Sequence, residues 1–329
     1  MFKKIYIEEE AKEHFRAKRI MAKYPNAELI SCTHYGEIFN KKNQNFRLQK
    51  QEPALIIALK KGAKILPTPE GFGIGSQKNY YFSHMLNCIY DCRYCFLQGM
   101  YNSAYFILFV NYEDFFQEIE KLEQDKTEKY FFSGYDCDSL ALESVTNFAA
   151  EFIPFFQKLK YSKLEFRSKS VNINIFKNFK ATSNIINAFS FTPSEISKSL
   201  EHKTPPIKSR IKAMQNLAKD GWKIGLRFDP MIYSENYQEL YQSLVEDVFS
   251  GLNLDNLHSV SIGPLRFPKK MHEKIQALYP QDSFLVNNLT LRGKNISYEE
   301  KIENEMENYI IEQVNKFVNK NLIFSCKNF

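Results

Sequence analysis

An α/β fold with a parallel sheet is what this sequence predicts, and three observations carry the prediction. From Tyr80 to Ile262, apolar β-type runs alternate with amphipathic helical stretches roughly six times, the pattern of strand–helix–strand units with right-handed crossovers. The chain has 329 residues, of which 44% are hydrophobic and 15% aromatic, enough for a sizeable core in one large domain or two smaller ones. Polar residues gather at the C-terminal ends of the predicted strands, where barrel-like α/β proteins keep their chemistry: a cysteine loop, Ser133 to Asp138, Arg167 to Ser170, Ser190 to Thr192 and Arg227 to Asp229.

Residues 1–75 read as a small mixed lobe. Lys3 to Ile7 and Ala27 to Cys32 are short strands around a helix from Ala11 to Tyr24, stopped by Pro25-Asn26. Ala54 to Leu59 is an apolar run that fits a buried strand. The loop Gly71-Phe72-Gly73-Ile74-Gly75 lacks the Lys-Ser/Thr ending of a phosphate cradle and reads as a linker. Residues 76–267 form the alternating part. Tyr80 to Met85 is a strand delivering the cysteine loop. Asn111 is placed to cap a helix over 112–122. Then come strand Lys129 to Tyr135, helix Ser139 to Leu159, and strands Lys163 to Ser168 and Ala188 to Phe191. Helix Pro205 to Asp220 ends at Gly221, and Lys223 to Asp229, Tyr237 to Leu252 and Ser259 to Ile262 give strand, helix and strand. Residues 268–329 are a C-terminal extension. Ser297-Tyr298-Glu299-Glu300 has the spacing of a capping box and opens a long amphipathic helix with Ile302, Met306, Tyr309, Ile310 and Phe317 on one face. Leu322 to Phe324 reads as an edge strand.

No apolar run approaches the roughly 18 residues of a membrane span, and Met1-Phe2-Lys3-Lys4-Ile5 runs into Glu8-Glu9-Glu10, unlike a signal peptide. A cytoplasmic location is expected, where thiols stay reduced and clustered cysteines point to metal rather than disulfides. The net charge of +6 permits a nucleic-acid partner without requiring one; a lysine-rich solvated surface is the simpler account of it.

The chemistry sits in Asn87-Cys88-Ile89-Tyr90-Asp91-Cys92-Arg93-Tyr94-Cys95-Phe96-Leu97-Gln98. Cys88, Cys92 and Cys95 have C-x3-C-x2-C spacing, close enough for three thiolates to hold one soft metal centre. Three is one short of the four that close an iron–sulfur or structural zinc site, which leaves an open iron. Two alternatives stand beside this reading. His84 lies four residues before Cys88 and could complete a Cys3His zinc site in a non-catalytic, basic nucleic-acid-binding protein. The cysteines could also be buried small hydrophobes. Cys32, Cys137 and Cys326 lie outside the motif.

The motif, with an aromatic directly after its last cysteine, resembles that of radical S-adenosylmethionine (SAM) enzymes. Cys92-Arg93-Tyr94-Cys95-Phe96-Leu97-Gln98 is similar to the corresponding segment of the spore photoproduct lyase-like family. The likeness continues through Asp138 to Glu143, Phe166 to Lys169, Ala188 to Phe191 and Gly221 to Pro230. The resemblance implies a partial (β/α)6 TIM-like barrel holding a [4Fe-4S] cluster on Cys88, Cys92 and Cys95. SAM would bind the open iron and be cleaved by one electron to a 5′-deoxyadenosyl radical that abstracts hydrogen from a substrate carbon. It implies a carbon–carbon lyase acting in DNA photoproduct repair, with DNA as partner and a flavodoxin or ferredoxin as electron donor. Phe96 would line the adenine site, and Lys169 and Ser190 would contact the cofactor; a lysine suits the methionine carboxylate. Arg167 and Asp229 are weaker candidates.

The chain departs from the family pattern in several places. Tyr135 stands where the lyase carries its hydrogen-donating cysteine, and Cys137 where a serine is usual. Tyr94 keeps one of two relay tyrosines; Phe96 replaces the other and has no hydroxyl. The Arg/Tyr-rich hairpin is reduced to Leu289-Thr290-Leu291-Arg292-Gly293-Lys294. Tyr135, Cys137 and Tyr94 are therefore the candidate hydrogen-transfer residues, and a substrate other than DNA stays open.

Overall fold

The computed structural model of the chain describes residues 2–69, 71–76 and 78–326. In chain order it begins with β1 (Lys4–Glu8), α1 (Phe15–Ala22), β2 (Glu28–Cys32), α2 (Gly36–Phe39), α3 (Phe46–Gln51), β3 (Leu55–Ala58), β4 (Ile65–Pro67) and β5 (Lys78–Phe82). Next come β6 (Met85–Leu86), β7 (Asp91–Cys92), α4 (Leu97–Met100), β8 (Phe106–Phe109), α5 (Tyr112–Glu123), β9 (Lys129–Phe132), α6 (Glu143–Thr146), α7 (Phe148–Phe156) and β10 (Ser162–Ser168). The barrel part ends with β11 (Ile185–Ser190), α8 (Ser194–Leu200), β12 (Glu201–His202), α9 (Ile207–Lys219), β13 (Lys223–Met231), α10 (Tyr237–Phe249) and β14 (Leu257–Pro264). The chain closes with β15 (Arg266–Pro268), α11 (Lys269–Leu278), β16 (Leu289–Arg292), β17 (Asn295–Tyr298), α12 (Glu300–Asn315) and β18 (Ile323–Ser325).

The main sheet has the order β18-β14-β13-β11-β10-β9-β5-β4. From β5 to β14 every neighbouring pair is parallel and in sequence order, the partial (β/α)6 barrel. β18 extends it in parallel beside β14, and β4 pairs antiparallel with β5. Every residue of β9 and β11 is buried, as expected where helices cover one face and the barrel interior the other. A second sheet, β2-β1-β3-β8-β6, joins strands before residue 75 to strands after it. Its β2, β1, β3 and β8 are parallel and β6 is antiparallel to β8.

Four local expectations are corrected. The strand expected over Tyr80 to Met85 is two strands in different sheets. The chain crosses between them at Ser83 and His84, where the Ser83 hydroxyl donates to Asp136 and the His84 carbonyl accepts from Phe109 N at 3.0 Å. The helix expected over Ser139 to Leu159 is broken by Asn147, which is left-handed at φ 51°. The Glu143 carboxylate then caps the second piece by accepting from Ala149 N at 2.8 Å and Ala150 N at 3.1 Å. Asn111 does not cap α5; its side chain pairs with the Lys60 backbone and with Asp114 at 2.6 Å. The capping box does not form either. Ser297 lies in β17 and donates to Leu265 O at 2.5 Å and to Glu303, and α12 starts at Glu300.

Met306, Ile310 and Val314 of α12 are buried, and Phe317 stacks on Phe249 at 4.7 Å. Each fully buried side chain of this size contributes about 1.5–3 kcal/mol. Among the described residues, no helix is long and apolar enough to cross a membrane.

Candidate active site

The cysteine loop is fixed from several sides. Asn87, left-handed at φ 69°, opens it and donates from Nδ2 to Ser103 O at 2.8 Å and Tyr105 O at 2.7 Å. Cys92 is held in β7 by pairing with Glu201 of β12, and Arg93 N donates to Leu200 O at 2.8 Å. The buried Asp91 carboxylate ties the loop to its flanks through Gln98 Nε2 at 2.7 Å, Arg93 at 3.1 Å and Lys50 at 3.8 Å. Gly99 lets α4 close on α11: a Cβ there would lie 2.3 Å from the Met271 carbonyl oxygen.

The loop walls a cavity of about 670 Å³ that opens at the C-terminal ends of the barrel strands. All nine residues singled out from the sequence line it: Cys88, Cys92, Cys95, Tyr94, Phe96, Tyr135, Cys137, Lys169 and Ser190. Arg167 and Asp229 line it too and lie 3.8 Å apart.

The donor set discriminates between the metal readings. His84 is outside this cavity: its ring stacks on Phe148 at 3.7 Å, and burial lowers its pKa to about 3. Among the described residues, no three His, Cys, Asp or Glu side chains converge closely enough for a single ion. Three thiols lining one cavity, with no histidine among its lining residues, suit a multi-iron cluster with an open position. Burial pushes the Cys88 thiol up to about 12 and raises Cys92 and Cys95 as well, so a positive centre is needed to hold them as thiolates.

Lys169 supplies a cation. Burial works against its charge, but Cys92 and Glu201 outweigh burial and hold its pKa above the ordinary value. Its ammonium lies 5.5 Å from the centre of the Tyr94 ring. Asp138 sets its position by accepting from Lys169 N at 2.7 Å, Ser168 Oγ at 2.7 Å, Leu140 N at 3.0 Å and Ala141 N at 2.9 Å. Beneath the mouth, Arg227 Nη2 reaches the buried Glu165 carboxylate at 2.6 Å, and Arg167 Nε reaches it at 3.1 Å. Gly134 lets the chain after β9 pass close to the end of β10, since a Cβ would meet the Arg167 carbonyl oxygen at 2.7 Å.

The three candidate hydrogen-transfer residues differ. The Tyr94 hydroxyl is buried, donates to Glu201 and lies 3.4 Å from Thr192 Oγ1. Cys137 Sγ is buried against Ser133 O at 3.7 Å and His84 Nδ1 at 3.9 Å. Tyr135 stacks on Tyr81 at 4.5 Å and sits 6.3 Å from Phe96; burial, with Tyr81 and Asp136, pushes its pKa up to about 12. Sequence reasoning did not single out Asn87, Lys50, Asp138 or Glu201. Asp138 carried a signal, the Asx-turn spacing to Leu140 and Ala141; Lys50 and Glu201 come from distant segments.

Comparison with known proteins gives the chain's family. The family model described as spore photoproduct lyase matches residues 1–324. The chain is 24% identical over 289 residues to the spore photoproduct lyase of Bacillus subtilis (strain 168), covering 84% of this chain and 82% of that one. It is 23% identical over 253 residues to that of Clostridium acetobutylicum, covering 74% and 75%. A solved spore photoproduct lyase variant with bound AdoMet and dinucleoside spore photoproduct superposes with a TM-score of 0.84 at 18% identity, covering 100% of this chain and 99% of that one. The chain thus belongs to the spore photoproduct lyase family, radical SAM lyases that work through a [4Fe-4S] cluster and S-adenosylmethionine.

Proposed function

We propose that this chain reverses a spore-photoproduct-type thymine lesion in DNA. The observation that carries the reading is one cavity shared by the three cysteines, Lys169 and Tyr135; a relative of the same fold holds both AdoMet and a dinucleoside spore photoproduct. Cys88, Cys92 and Cys95 would hold the cluster, Lys169 the methionine carboxylate, and Ser190 and Phe96 the rest of the cofactor. Cluster and SAM together supply hydrogen-abstracting radical chemistry when bound. The chain's part is to orient the reacting groups and keep water out, with catalysis assigned to residues 76–267. For return of hydrogen to the product we favour Tyr135 over Cys137, because the Cys137 thiol is turned to the Ser133 carbonyl and His84. Tyr94, bound to Glu201, is the third candidate. A flavodoxin- or ferredoxin-class electron donor and a cytoplasmic setting complete the reading.

One observation favours a different substrate for the same chemistry. Arg292 of the β16–β17 hairpin is bound to Glu303 rather than offered to a phosphate, and Leu291 is exposed. Incubating the reduced, SAM-loaded enzyme with a spore-photoproduct oligonucleotide decides between them. Recovery of thymine is expected. Vigorous SAM cleavage with no thymine recovered would rule out the lesion and leave the other substrate.

A further inference from the structure

The proposed reaction is started by one electron that must enter through the protein surface, and a docking face for its donor rests on that reading. Helix α3 lies against the ligand loop: Lys50 Nζ is 3.5 Å from Cys88 O and 3.4 Å from Tyr90 O. On its outward side Leu48 is 61% exposed, beside exposed Arg47. Exposed cations surround it. Lys41 and Lys42 lie in the preceding loop, Lys203 Nζ donates to Lys50 O at 2.8 Å, and Lys274 Nζ donates to Asn102 Oδ1 at 3.3 Å.

Lys203, Lys274 and Arg47 meet neutral groups, the last with the Tyr279 ring 5.8 Å from its guanidinium. Some lysines elsewhere on the surface pair with acids, as Lys18 does with Glu13 at 2.7 Å and Lys61 with Glu10 at 2.7 Å. The acids near α3 do not neutralise the patch. Glu52, directly after α3, is taken up by Lys3 at 3.0 Å, Asp91 is buried and held by Gln98 and Arg93, Asp282 lies 3.8 Å from Arg93, and exposed Glu273 adjoins Lys274. Unneutralised cations around an exposed leucine add self-repulsion and nothing to the core. They do form an apolar centre with a basic rim, the make-up of a protein-docking surface.

We propose that this face docks a small acidic protein that carries electrons one at a time, and that its electron crosses the Cys88–Tyr90 loop. The carrier is oxidised by one electron and the cluster reduced by one; no bond is made or broken. A DNA backbone would also attract the cations, but it offers Leu48 no apolar partner.

The test compares the reconstituted wild type with Arg47→Glu and Leu48→Gln, mixing each with reduced flavodoxin in stopped flow and following bleaching of the cluster. Flavodoxin should reduce both variants about tenfold more slowly than wild type, and the wild-type rate should fall with added salt. Reduction by dithionite and affinity for a duplex oligonucleotide should not change. Equal flavodoxin rates in all three proteins overturn the proposal, and so does loss of duplex affinity in the variants, which would make the patch a nucleic-acid contact. A colourless wild type would show that the cluster assignment fails. Calorimetric binding of flavodoxin still tests the surface then: weaker binding by the variants supports it and equal binding refutes it.

Discussion

Under the proposed function, Lys169 is the residue on which cofactor binding turns. Its charge is held by Cys92 and Glu201, and its backbone by Asp138. Replacing it with methionine removes a charge-assisted bond worth about 1.5–3 kcal/mol. SAM affinity measured by calorimetry should then fall about 10- to 100-fold, and an unchanged affinity would remove Lys169 from the cofactor site. Tyr135→Phe should leave SAM cleavage intact while product per SAM cleaved drops, with Cys137→Ser close to wild type; chromatographic counting of both products separates them, and the reverse pattern would make Cys137 the donor. At this scale the motif marked the cysteines and Lys169, and all four line one cavity. Glu201 was not marked, because it reaches Tyr94 across 107 residues of sequence and owes its place to the pairing of β12 with β7.

Among the elements, close contacts make two sites sensitive. Gly99→Ala would put a Cβ 2.3 Å from the Met271 carbonyl oxygen and push α4 from α11. A loss of about 1–3 kcal/mol is expected by denaturant titration, and a stability equal to wild type would mean that the two helices are not closely seated. Glu165 between β10 and β13 is the second. Burial opposes its charge, but Arg227 and Arg167 outweigh it and lower its pKa from 4.5 to about 2. A depressed folded-state pKa gives stability that is complete above about pH 4.5 and lost as the pH falls toward about 2. Glu165→Gln leaves Arg227 without its carboxylate and should cost about 3–5 kcal/mol at neutral pH. It should also flatten the acid limb in that window; an acid limb matching wild type would place the sensitivity elsewhere. Periodicity located most strands and helices here, but not their interruptions. The Ser83–His84 crossing follows from a distant partner, Asp136, the break at Asn147 is a single left-handed residue inside a helical period, and the wholly buried run Phe106 to Phe109 shows no period.

For the whole molecule, strand–helix alternation was enough to foresee a parallel barrel with its chemistry at the strand ends. That β8 joins the strands of the first 75 residues in one sheet was not foreseeable, because strand order between distant segments leaves no local mark. The central claim is that Cys88, Cys92 and Cys95 hold a cluster with one open iron inside the shared cavity. Electron paramagnetic resonance of the anaerobically reconstituted, reduced protein, with and without SAM, tests it most directly. The account predicts the signal of a reduced [4Fe-4S] cluster that shifts when SAM is added and is absent in Cys92→Ala. A signal indifferent to SAM, or a colourless protein holding a single zinc, would contradict it.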